Sequence, residues 1–79
     1  MEFFLSSYDG VLPVEVTIDD DNGRYMIRKS DTSGEIFNSS NELIEWVKSN
    51  FQEDEFCQPH EFRGMLAKFV EYELGGELV

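Results

Sequence analysis

Three shortages narrow the reading of this 79-residue chain before any motif is considered. The first is cysteine. Cys57 stands alone, so no internal disulfide can staple the fold, and small secreted domains with thin cores ordinarily rely on such staples. A reducing, cytoplasmic setting is the expectation. The second shortage is apolar length. Nothing in the chain approaches the roughly 20 residues of a membrane span. The opening Met1-Glu2-Phe3-Phe4-Leu5 has neither the basic residues nor the apolar stretch of a secretory leader. The third is positive charge. Six Lys and Arg stand against seventeen Asp and Glu, a formal net charge of −11. A body of that sign is repelled by nucleic acid and anionic lipid and drawn to basic surfaces. Direct nucleic-acid binding and membrane association are both unexpected.

What is present is the composition of a chain that folds. Hydrophobic residues make up 41% and aromatic residues 14%, with seven Phe. Disordered chains combine high charge with few such residues. At this length a fold buries only about 60% of the surface its unfolded chain exposes, so residues 1–79 are expected to form a single domain with one thin core.

The clearest local pattern runs from residue 14 to 29. Val14, Val16 and Ile18 alternate with Glu15, Thr17 and Asp19, the period of a half-buried strand. Asn22-Gly23 tolerates positive φ at both centres of a type I′ turn. A two-residue loop there predicts a return strand from Arg24 to Lys29, with Ile18 opposite Ile27. Val16, Ile18, Tyr25 and Ile27 would share one face, with Thr17, Asp19, Met26 and Arg28 on the other. Asp31-Thr32-Ser33-Gly34 reads as a second turn with Gly34 at a left-handed position. Glu35 to Asn38 then forms a strand with Phe37 or Ile36 inward, according to loop register. Glu2 to Ser6 reads as a further strand, and Asp9-Gly10 with Pro13 breaks the chain after it.

The period then becomes helical. Ser39-Ser40-Asn41-Glu42 has capping-box spacing, and Leu43, Ile44, Val47 and Phe51 form a stripe, predicting a helix from about Ser40 to Phe51. Gln52 to Cys57 is a polar break. Pro59 suits the first turn of a second helix with Phe62, Met65, Leu66, Phe69 and Tyr72 on its apolar face, ending at Gly75-Gly76. Glu77-Leu78-Val79 reads as a frayed tail. The expected fold is α+β: an antiparallel β-meander of three to four strands, followed by two helices packed on one sheet face.

No catalytic, metal or cofactor constellation stands out. Asp19-Asp20-Asp21-Asn22-Gly23 resembles a calcium loop, but aligning its Gly puts Ile18 and Lys29 where carboxylates are required. Cys57 and His60 have C-x-x-H spacing, yet a structural zinc site needs four ligands of these kinds and the chain has one Cys and one His. A Cys–His nucleophile pair normally has a third residue to orient its base, and none is evident. Glu53-Asp54-Glu55 precedes the second helix, where negative charge complements the helix dipole. The same triplet, with Asp19, Asp20 and Asp21 and the helix residues Glu42, Glu45, Glu71 and Glu73, can also form a partner-facing acidic surface. Trp46, at the edge of the first helix's stripe, suits an interface anchor or core-edge packing.

The expected function is therefore that of a non-enzymatic acidic interaction protein. The sharper version is an inhibitor or decoy that occupies the basic, nucleic-acid-binding surface of a protein partner. Its partner-binding residues would be Asp19, Asp20, Asp21, Trp46, Glu42, Glu45, Glu53, Asp54 and Glu55. The alternative is a small housekeeping or regulatory domain acting as a homodimer through its open sheet face or an edge strand. Acidity for solubility alone is the competing explanation of the charge.

Overall fold

The computed structural model describes residues 1–8 and 12–74. The period-two segments become four strands: β1 (Glu2–Leu5), β2 (Val14–Asp19), β3 (Arg24–Arg28) and β4 (Gly34–Phe37). They form one antiparallel sheet in the order β1-β2-β3-β4, the expected meander. Two helices follow, α1 (Ser40–Asn50) and α2 (Pro59–Glu73), with a short 3-10 turn at Glu53–Glu55 between them. The breaks expected at Asp9-Gly10 and Gly75-Gly76, and the tail after the latter, lie outside the described residues. No helix among the described residues is long and apolar enough to cross a membrane.

The hairpin keeps its predicted faces but not its predicted register. Val16 pairs with Ile27, Ile18 with Tyr25 and Asp19 with Arg24, leaving a four-residue loop of Asp20 to Gly23. Only the glycine there takes a positive φ, at 64°. The Asp19 carboxylate decides between the two loops. It accepts hydrogen bonds from the Asn22 backbone N–H at 3.3 Å and from Nδ2 at 2.8 Å, which holds the asparagine out of the left-handed region. The register moves by two residues, so every side chain stays on its predicted face.

The second turn also differs. Thr32 occupies the left-handed position, at φ 72°, while Gly34 lies within β4. Asp31 Oδ1 accepts from Ser33 N–H at 3.0 Å and from Ser33 Oγ at 2.6 Å, and Lys29 N–H donates to Ser33 O at 2.7 Å. This closed loop forces Thr32 into a conformation that costs a β-branched residue about 1 kcal/mol or more. Phe37 turns inward and Ile36 outward, 84% exposed.

Ser39 caps α1, its Oγ accepting from Glu42 N–H at 3.3 Å. The Glu42 carboxylate reaches one residue past the expected target and accepts from Asn38 N–H at 3.1 Å. Leu43, Ile44 and Val47 are buried against the sheet, as are Phe62, Met65 and Phe69 of α2. Helix α1 packs over β3 and β4 and α2 over β1, where the Phe3 and Phe69 rings meet edge to face at 5.7 Å.

The polar break contributes a core residue its composition conceals. Phe56 is 2% exposed, stacks on Phe62 at 5.2 Å and meets Phe51 edge to face at 5.6 Å. Backbone hydrogen bonds from Cys57 N–H to Ser6 O and from Tyr8 N–H to Glu55 O tie this segment to the chain just after β1. The strand-like pairing of Ser7 with Phe56 turns the ring inward.

Candidate acidic surface

The fold divides the predicted site residues between opposite ends of the sheet. Asp19, Asp20 and Asp21 lie at the β2–β3 turn. Glu53, Asp54 and Glu55 lie at the other end, where Glu55 and Phe56 share a shallow cleft of about 350 Å³ with Val14, Lys29 and Asp31. Five strand steps separate Val14 from Asp19, roughly 17 Å at the usual rise. The two clusters therefore do not form one patch.

At the β2–β3 turn, Asp20 is the fixed point. Its carboxylate accepts from Tyr25 Oη at 2.8 Å and from Tyr72 Oη at 2.9 Å, so strand β3 and the last turn of α2 hold it together. Ser40, the first residue of α1, also acts on the Tyr72 phenol, and strand β4 ends at Phe37 opposite Tyr25, just before α1. This hydroxyl junction places the hairpin tip beside the first turn of α1, where Glu42 is exposed, with exposed Glu45 one turn further on. Asp19 through Asp21 and Glu42 thus lie toward one end of the molecule, with Glu45 midway along α1. Asp19, Asp20 and Asp21 also line a shallow cleft of about 310 Å³ with Met1, Ile18 and Tyr72.

The titration shifts follow from these contacts. Asn22 hydrogen bonding pulls the Asp19 carboxyl below its usual range. The hydrogen bond to Asp20 raises the Tyr25 phenol, since the carboxylate favours the protonated donor. At Tyr72 the Ser40 hydrogen bond acts downward, but desolvation together with Asp20 outweighs it and the net shift is upward.

Five glutamates elsewhere are paired with cations. Arg28 pairs with Glu15 at 2.5 Å, Lys29 with Glu35 at 3.7 Å, Lys48 with Glu73 at 3.6 Å and Lys68 with Glu71 at 3.8 Å. Arg63 pairs with Glu53, which lowers the glutamate pKa and raises that of the guanidinium. Glu55 accepts from Gln52 N–H at 2.6 Å, closing the 3-10 turn. The acidic triplet before α2 is thus partly committed to local structure. Arg24, the remaining cation, sits opposite Asp19 across the hairpin.

Trp46 is half-buried between Phe37, at 6.0 Å, and Phe51, at 5.2 Å, with the Lys29 ammonium 5.3 Å from its ring centre. The ring is already engaged on several sides. Cys57 is exposed, and among the described residues no group of three or more His, Cys, Asp or Glu is placed to hold a metal ion. Sequence reasoning overlooked Tyr25 and Tyr72 as site residues. Their only signal is amphipathic position, because Asp20 and Tyr72 lie 52 residues apart. No protein-family model matches the chain, and neither a curated protein nor a solved structure is significantly similar to it.

Proposed function

We propose that this protein is a non-enzymatic acidic binding protein. It presents Asp19, Asp20, Asp21, Glu42 and Glu45 to a basic surface of a protein partner and competes there with nucleic acid. The supporting observation is how the cations are distributed. Five of the six Lys and Arg are paired with glutamates, and in the ion pairs of the described residues none is paired with Asp19, Asp20 or Asp21, which leaves Arg24, opposite Asp19, as the cation beside the tip. Surplus negative charge therefore remains at the tip, where Tyr25 and Tyr72 hold Asp20 in place.

Carboxylates at such a surface meet the Lys and Arg that otherwise neutralise phosphates. Each exposed pair is worth about 0.2–1 kcal/mol, so affinity comes from their number and association speed from the long-range field. Both decline as the Debye length shrinks to about 8 Å at physiological ionic strength. Asp54 and Glu55 form a lesser patch at the opposite end, and Trp46 contributes through its remaining exposed edge.

The test is capture on immobilised wild-type protein at low salt, with a D19N/D20N/D21N/E42Q/E45Q variant and an unrelated acidic protein of equal charge as controls. Nucleic-acid-binding proteins retained by the wild type alone, and displaced by duplex DNA or RNA, are the expected result. Equal capture by the neutralised variant or by the unrelated protein would refute the reading.

A further inference from the structure

The sheet face away from the helices differs in charge from the rest of the molecule. Strand alternation sets its residues in rows: Phe4, Glu15, Arg28 and Gly34; then Glu2, Thr17, Met26 and Ile36; then Asp19 and Arg24. Three acids and two cations make it nearly neutral, although the whole chain carries −11. Phe4 is 53% exposed, Met26 37% and Ile36 84%, an apolar set that no element among the described residues covers.

The order of charge across the rows is self-complementary. Acids stand on β2 and cations on β3, with Glu15 beside Arg28 and Asp19 beside Arg24. A two-fold axis parallel to the strands, midway between β2 and β3, sets β2 of one copy over β3 of another, row by row. Glu15 then meets Arg28 of the second copy, Asp19 meets Arg24, Thr17 meets Met26 and Glu2 meets Ile36, while Phe4 covers the row position where Gly34 has no side chain. Sheets pack in nearly this alignment, about 30° off parallel, which preserves the central overlay.

We infer that this face is the contact between two copies of this chain. Elsewhere the tip and the outer side of α1 would set acid against acid, which disfavours approach by like-charged copies. The contact is small. Four strands about 4.8 Å apart and some 17 Å long present on the order of 500 Å² per copy once side-chain relief is included, below the ~800 Å² of a standard interface. The dimer is therefore reversible and concentration-dependent. Its axis brings both hairpin tips to the same end, doubling the acidic surface proposed above, although the dimer itself does not depend on that reading.

Sedimentation equilibrium of the intact protein from about 10 μM to 1 mM tests it. The expected result is a mass rising from 9.2 kDa toward twice that value. E15R or R28E alone should weaken association about tenfold or more, because like charges would then be stacked, and E15R/R28E together should restore it. I36E should weaken it as well, by setting a second acid against Glu2 of the other copy, while leaving the circular dichroism unchanged. A monomer throughout the range would overturn the inference, as would a dimer indifferent to R28E and I36E. Loss of partner capture with the dimer intact would instead refute the proposed function alone.

Discussion

At the β2–β3 end of the sheet, Asp20 meets two phenols and Asp19 an asparagine, with Arg24 nearby. At the β3–β4 end, acid meets cation, with Glu35 on Lys29 and Glu53 on Arg63, over a layer of Phe51, Phe56 and Phe62. Both ends carry a run of three acids. At one end the charge is absorbed into structure beside a packed aromatic layer. At the other it is held rigid by neutral donors and left to act on its surroundings. Counting carboxylates does not separate these two fates. Their partners do.

The comparison can be broken most severely at the aromatic end. Phe56→Ala should cost about 3–5 kcal/mol, the usual penalty for emptying a buried Phe site, and in so small a domain that approaches complete unfolding. Urea denaturation measures it. A loss below about 1 kcal/mol would show that the segment before α2 is not an integral part of the core.

A middle-sized effect is expected at the tip. Tyr72→Phe removes the hydroxyl joining α2 to Asp20 and should cost about 1 kcal/mol, with the core unchanged. The Tyr25 and Tyr72 phenols both titrate above their ordinary value, so their contribution is fully present below about pH 10 and is lost as pH rises through the folded-state values. Alkaline melting curves of wild type and Y25F/Y72F should therefore converge above that range. Curves that stay parallel would separate the phenols from tip stability.

Ionic strength offers a finer measure. Salt should raise the melting temperature of the wild type by screening its self-repulsion. The D19N/D20N/D21N variant should respond less, because these charges are not neutralised by local ion pairs. The smallest effect is expected for Arg63→Gln. Its pair with Glu53 is solvent-exposed, so the melting temperature should scarcely move. A large drop would mean that the opposite end depends on charge as well as on aromatic packing.

Much of the fold was legible because its signals are local. Alternation of Val14, Val16 and Ile18, the Ser39 cap and the stripe from Phe62 to Tyr72 each act within a few residues, and each element formed. The hairpin register was not legible, since two-residue and four-residue loops agree equally well with the alternation and the Asp19–Asn22 hydrogen bonds choose between them. Gly34 seemed the natural left-handed residue, but the Asp31–Ser33 contacts place that demand on Thr32. Phe56 was hidden because its burial comes from pairing with Ser7, 49 residues earlier, and not from periodicity. The site suffered most from the same limitation. Lys48 with Glu73, Arg63 with Glu53 and Tyr72 with Asp20 join separate elements, so composition could not say which acids remain unmatched.

The hairpin loop also bears on how this chain can vary. Because a change of two residues returns every neighbouring side chain to its own side, the acidic tip can grow or shrink in even steps while the packing beneath it stays intact. A single-residue insertion is taken up with the pairing of Asp19 and Arg24 kept, as a five-residue loop, or otherwise as a bulge. The tip is therefore a recognition element that evolution or a designer can adjust without rebuilding the scaffold.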